Sequence, residues 1–131
     1  MRALGFSQVL WGAIMADLVI QVHEVNGVAV LRPEGFINAH TVRQFEGAME
    51  AQIHAGRFML LLDCRLLNYI SSAGLGAIMG LIETVRENGG DIMLCSLQKN
   101  VREIFDTLGF TELYRVFATE EEALQSLNGK I

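Results

Sequence analysis

The sequence predicts a single α/β domain. Three observations carry that prediction. Segments of strand pattern alternate with segments whose apolar residues recur at spacings of three and four. Two apolar runs, Phe58–Asp63 and Ile92–Cys95, are continuous, as in strands covered on both faces. The length, 131 residues, is about one domain on a prior of ~150 residues each, and no linker, internal repeat or low-complexity tract divides it.

The elements follow in order. Leu18–Val25 and Val28–Pro33 are rich in β-branched residues and flank Asn26-Gly27. That dipeptide supplies the positive φ angles of a tight turn, so the two segments form an antiparallel hairpin. Pro33 offers no ladder donor and suits a strand end or an edge. After Gly35 the period becomes helical: Asn38 is the expected N-cap, Val42, Phe45, Met49 and Ile53 form the apolar stripe, and Gly56 ends it. The buried strand Phe58–Asp63 leads to a loop, Cys64–Ile70. A second helix carries Leu75, Ile78, Ile82 and Val85, with Gly76 and Gly80 where a neighbour comes close, and Asn88-Gly89-Gly90 stops it. After the strand Ile92–Cys95, Ser96 is the expected cap of a third helix bearing Val101, Ile104, Phe105 and Leu108, closed by Gly109. A short strand is expected around Tyr114–Phe117. Thr119 with Glu122 forms a capping box for a last short helix.

Composition excludes several classes. Half the residues (51%) are hydrophobic and only 19% are charged, which rules out a disordered chain. The two cysteines, Cys64 and Cys95, lie in apolar runs and read as small buried hydrophobes rather than a disulfide scaffold. Ten basic residues against 15 acidic ones, with no Lys/Arg cluster, are the wrong balance for a nucleic-acid binder. The expected location is the cytoplasm. Residues 1–16, MRALGFSQVLWGAIMA, are treated apart as an N-terminal extension to a domain of residues 17–129. The stretch is shorter than the roughly 20 apolar residues of a membrane helix, so no membrane insertion is expected. A single Arg and the lack of a small-x-small site argue against an export signal. A start at Met15, or an amphipathic helix that caps the domain or pairs two copies as a homodimer, are the alternatives.

No active site assembles from the motifs. His23, His40 and His54 are scattered and make no metal-ligand pair, so no metal is expected. No phosphate-cradling Walker string and no Gly-x-Ser-x-Gly elbow exists. One segment stands out: Asn68-Tyr-Ile-Ser71-Ser72-Ala73-Gly74-Leu75-Gly76. Two serines stand where a loop enters a helix N-terminus after a buried strand. One plain role is an N-cap, its hydroxyl accepting from a first-turn amide at a gain of ~1 kcal/mol. The same geometry also suits a phosphate, because free amides and the helix dipole make a positive pole.

The string Ile70-Ser-Ser-Ala-Gly-Leu-Gly76 resembles the signature of the STAS domain family, named for sulfate transporters and anti-sigma-factor antagonists. Glu34-Gly-Phe-Ile-Asn38-Ala is similar to the family's turn before the first helix, Leu60-Leu-Leu-Asp63 to its central strand, and Asn88-Gly-Gly to its glycine turn. Val101–Leu108, Gly109, Phe110 and Leu113–Phe117 are similar to its ending. The resemblance spans about residues 18 to 127. It implies a small mixed β-sheet with helices packed mainly on one side.

The resemblance also implies a function. Free-standing members are anti-sigma-factor antagonists in partner-switching pathways. A histidine-kinase-like ATPase, the anti-sigma-factor serine kinase, phosphorylates the second serine of the motif, and a PP2C-type phosphatase resets the switch. Carried over by position, Ser72 is the acceptor, Ser71 being second in rank because it takes the place of the family's usual aspartate. Partner contacts are expected from Asn38, Ile70, Ser71, Ser72, Ala73, Gly74 and Leu75, with Ile70 and Leu75 giving an apolar surface. No cofactor and no catalytic residue are implied. The alternative is a STAS adaptor subunit of a transporter or signalling complex that is never phosphorylated. An esterase using Ser72 ranks last, since no neighbouring base is visible.

Overall fold

A computed structural model describes residues 17–127. The expectations placed on residues 1–16 and on residues 128 and 129 lie outside that range. The hairpin forms as its turn chemistry dictates: β1 (Leu18–Val25) and β2 (Val28–Ile37) are antiparallel, with Asn26 at φ 50° and Gly27 at φ 86°. Then follow α1 (Val42–His54), β3 (Met59–Asp63), β4 (Leu67–Ile70), α2 (Ser72–Glu87), β5 (Asp91–Cys95), α3 (Lys99–Thr107), α4 (Phe110–Leu113), β6 (Val116–Phe117) and α5 (Glu120–Gln125). The sheet runs β1-β2-β3-β5-β6, with β4 also paired to β2. Among the described residues only the hairpin is antiparallel; β2–β3, β2–β4, β3–β5 and β5–β6 are parallel. The sheet is therefore mixed, as expected.

Alternation along the strands separates two cores. Leu31, Ile37, Leu60, Leu62, Ile92 and Leu94 face α1 to α4, where Phe45, Met49, Ile78, Val101 and Phe105 complete the larger core. Val30, Leu61, Met93 and Cys95 face the other way and meet Ala123 of α5. The helices thus lie mainly on one side, and the short α5 covers part of the other.

Several features depart from the sequence reading. Strand β2 does not end at Pro33 but runs on to Ile37, and Pro33 is buried. Its neighbours explain this: β2 pairs with β3 through Leu31 and with β4 from Gly35, so Pro33 sits where the partner changes and no acceptor waits for the missing N–H. Residues 67–70, expected in a loop, form β4, which takes the edge of β2 that Pro33 leaves open. Ser96 does not cap α3. It adopts φ 59°, its hydroxyl donates to the Ala118 carbonyl at 3.3 Å, and the helix starts three residues later with Gln98 at the cap position. Gly76 and Gly80 face open space; the close approach is at Gly74. The C-terminal capping box is present in altered form. The Thr119 hydroxyl accepts from the Glu122 N–H at 3.1 Å, while the Glu122 carboxylate accepts from Ala118 rather than from Thr119.

Candidate functional site

The serine pair sits where β4 hands over to α2. Ile70 is buried against the core, Ser71 has extended backbone angles (φ −88°, ψ 171°), and its N–H donates to the Ile37 carbonyl at 2.8 Å. That bond ties the start of α2 to the end of β2. The Ser71 hydroxyl accepts from the Gly74 N–H at 3.3 Å and is the N-cap of α2. Ser72 occupies the first helical position and is exposed. The two serines therefore differ: one hydroxyl is engaged in the fold and the other is offered to solvent.

The turn after β2 lies beside them. Asn38 is not the N-cap of α1; Thr41 is, and its side chain does not cap the helix. Asn38 instead shapes the preceding turn, its side-chain oxygen accepting from His40 N–H at 2.9 Å and Thr41 N–H at 3.2 Å. Buried Thr41 locks this turn to the strand end by donating its hydroxyl to the Phe36 carbonyl at 2.8 Å and accepting from Asn38 N–H at 2.9 Å. At Gly35 (φ +115°) a Cβ would lie 2.2 Å from the Asp17 carbonyl oxygen, so only glycine fits there.

The structure brings Asn38, Ser71, Ser72 and Ala73 to one end of the sheet, but three of the residues expected to touch a partner do not reach its surface. Ile70 and Leu75 are each 2% exposed, and Gly74 is buried with its Cβ direction aimed at Ile37 and Ile70. The apolar surface expected from Ile70 and Leu75 is therefore part of the core. The exposed apolar side chains near this end are Phe36, Leu66 and Tyr69. Phe36 and Tyr69 are opposite one another in the β2–β4 register, on the face away from Ile37 and Ile70. The burial pattern of β4 shows the cause. In Leu67-Asn-Tyr-Ile70 the buried residues are three apart, which breaks the period of two and marks a β-bulge.

On the side of the sheet that α5 covers, a buried carboxylate anchors a polar network. Asp63 accepts from Arg32 Nε at 3.1 Å and from the Arg65 N–H at 3.1 Å, and Arg32 donates its other nitrogen to Glu120 at 2.7 Å. Burial pushes the Asp63 carboxyl up; the Arg65 N–H and the Arg32 guanidinium outweigh it and hold the group below its ordinary value. A concavity of about 590 Å³ lies over this network, between the β1–β2 turn and α5, and neither serine lines it. Burial pushes both cysteine thiols up, Cys95 to about 12, so neither is a nucleophile at neutral pH. Among the described residues no group of three or more His, Cys, Asp or Glu side chains could hold a metal ion, and no helix is long and apolar enough to cross a membrane.

The chain is similar to known proteins over most of its length. The STAS domain family model matches residues 19–123. BtrV of Bordetella bronchiseptica, described as an anti-sigma factor antagonist, is 31% identical over 104 residues, which cover 79% of this chain and 90% of that protein. The anti-sigma F factor antagonist of Paenibacillus polymyxa is 25% identical over 112 residues, 85% of this chain and 96% of the relative. Among solved structures, the anti-sigma factor antagonist SpoIIAA in its unphosphorylated form matches with a TM-score of 0.75 at 25% identity, covering 85% of this chain and 97% of that one.

Proposed function

The chain belongs to the STAS domain family, and from that premise we propose that it is an anti-sigma factor antagonist switched by phosphorylation of Ser72. The unmodified form binds an anti-sigma-factor serine kinase of the histidine-kinase-like ATPase type and so releases a sigma factor. The kinase transfers the γ-phosphoryl group of ATP to Ser72 Oγ, the hydroxyl proton leaves, and ADP departs. A PP2C-type phosphatase hydrolyses the ester and restores the serine.

The single observation that carries this reading is the contrast between the two hydroxyls. Ser71 caps α2, whereas Ser72 is exposed one residue on, where an enzyme's active site can reach it. The names of the relatives support the same reading. Electrostatics supplies the switch. A phosphate adds about −1.5 to −2 charges. The helix N-terminus tolerates them, but a partner closing over Phe36, Leu66 and Tyr69 would have to strip water from a dianion.

The test uses the full chain and its cognate serine kinase. Incubation with ATP should add the mass of one phosphate, and Ser72→Ala should abolish the addition. Ser72→Asp should weaken capture of the kinase in a pull-down. Equal capture of wild type, Ser72→Ala and Ser72→Asp would contradict the switch, and persistent phosphate-free binding would favour the adaptor reading.

A further inference from the structure

The approach to the serine pair is held from a distance of at least 30 residues in sequence. Gln98 stands at the cap position of α3, yet its side chain makes no bond to its own helix. Its amide donates instead to the Arg65 carbonyl at 2.9 Å and to the Asn68 side-chain oxygen at 3.3 Å, contacts 33 and 30 residues apart in sequence. Asn100, in the first turn of α3, donates from its side-chain amide to the Asn68 carbonyl at 2.7 Å.

Asn68 is the residue that β4 has in excess. The register with β2 steps from Gly35↔Leu67 to Phe36↔Tyr69, leaving Asn68 without an opposite number. A bulged residue loses its place in the ladder, and Asn100 supplies a donor to the carbonyl so displaced. The bulge matters because a strand alternates faces at every residue, so a one-residue slip turns each side chain to the other side. With the extra residue, Leu67 and Ile70 both face the core. The seat of Ile70 in turn sets Ser71, whose N–H reaches Ile37 and whose hydroxyl caps α2.

We propose that Gln98 and Asn100 are positioning residues for the phosphoacceptor. By clamping the bulge at Asn68 they fix the junction of β4 and α2, and with it the place from which Ser72 is presented to a kinase. The inference rests on the reading of Ser72 as the acceptor. It adds α3, an element remote from the serine motif, to the apparatus that makes the motif competent.

The experiment compares the full chain with Asn100→Ala, with Asn100→Asp, which keeps the shape but removes the donor, and with the double variant Gln98→Ala/Asn100→Ala. Amide hydrogen exchange is read residue by residue. Loss of these bonds should speed exchange at Leu67 and Ser71 by about five- to tenfold, while the amides of β3 and β5 keep their wild-type rates. In kinase assays kcat for phosphate transfer should fall by about the same factor. Unchanged exchange at Ser71, or an equal rise across the whole sheet, overturns the proposal. A wild-type chain that takes no phosphate defeats the Ser72 reading instead, and the exchange measurement still decides the clamp.

Discussion

Gly74 and Gly76 stand two residues apart on α2 and should answer the same substitution differently. Glycine inside a helix costs about 1 kcal/mol relative to alanine. At Gly76 a Cβ would meet nothing within 4 Å, so Gly76→Ala should recover most of that amount. At Gly74 the new carbon would lie 2.6 Å from Ile37 Cγ2 and 2.7 Å from Ile70 Cγ1. Those isoleucines are 0% and 2% exposed and branched at Cβ, so neither can swing aside. Forcing a methyl into such a site costs about 1–3 kcal/mol, which outweighs or cancels the helix gain. The two variants should therefore differ by roughly 1–3 kcal/mol. Urea unfolding followed by circular dichroism reads this as midpoints separated by about 1 M at an m-value near ~1.5 kcal/mol/M. Equal stabilisation by both alanines would refute the tight seating of α2 on Ile37 and Ile70. For the same reason Gly74→Val should lose binding together with the fold, because its bulk enters the core.

Two further predictions concern caps and charges. Ser71→Ala should cost about 1 kcal/mol by removing the acceptor for Gly74 N–H, whereas Ser71→Asp, which keeps an acceptor and adds a charge at the positive helix end, should remain within about 0.5 kcal/mol of wild type in thermal unfolding. Arg32→Ala should cost about 2–4 kcal/mol by leaving the buried Asp63 carboxylate without its guanidinium, and adding Asp63→Asn should recover part of the loss. The pH dependence has a definite sign. The Asp63 pKa is lowered in the folded state, so the unfolded chain takes up the proton first. The stabilisation is complete above the unfolded value of about 3.9 and is lost as pH falls through the folded one, so urea titrations below about pH 4 should show a shallower acid loss in Asp63→Asn.

The sequence displayed the elements whose cause is local. Asn26-Gly27 makes its turn through its own backbone angles, and the runs at Leu60–Leu62 and Ile92–Leu94 are buried because helices cover both faces of the sheet there. What it hid depends on pairing. Pro33 looks like a strand end until β3 and β4 are seen to meet β2 on either side of it. Asn38 has the chemistry of a helix cap, and its side chain does accept first-turn-like bonds, but the turn it shapes delays α1 to Val42. At the site, the motif located the serines and their division of roles follows from one hydrogen bond. The motif did not reveal that Ile70, Gly74 and Leu75 serve the core, because apolar residues beside a functional serine look the same in sequence whether they face a partner or the interior.

The position of Ser72 also limits how a phosphate there can act. The first four N–H groups of a helix have no partner within it; at α2 the Gly74 N–H is taken by Ser71, while those of Ser72 and Ala73 remain for an anion. A phosphoryl group on Ser72 is therefore stabilised where it stands, and the helix has no reason to unwind. On the proposed reading both forms would share one fold, so a partner that tells them apart must do so by the cost of desolvating charge at the contact. An aspartate carries one charge instead of nearly two. Ser72→Asp should consequently bind the kinase more weakly than Ser72→Ala but more tightly than the phosphorylated chain. Titration of all three against one kinase preparation checks the order, and an alanine variant that binds as weakly as the phosphoprotein would mean that loss of the hydroxyl, and not accumulated charge, drives release.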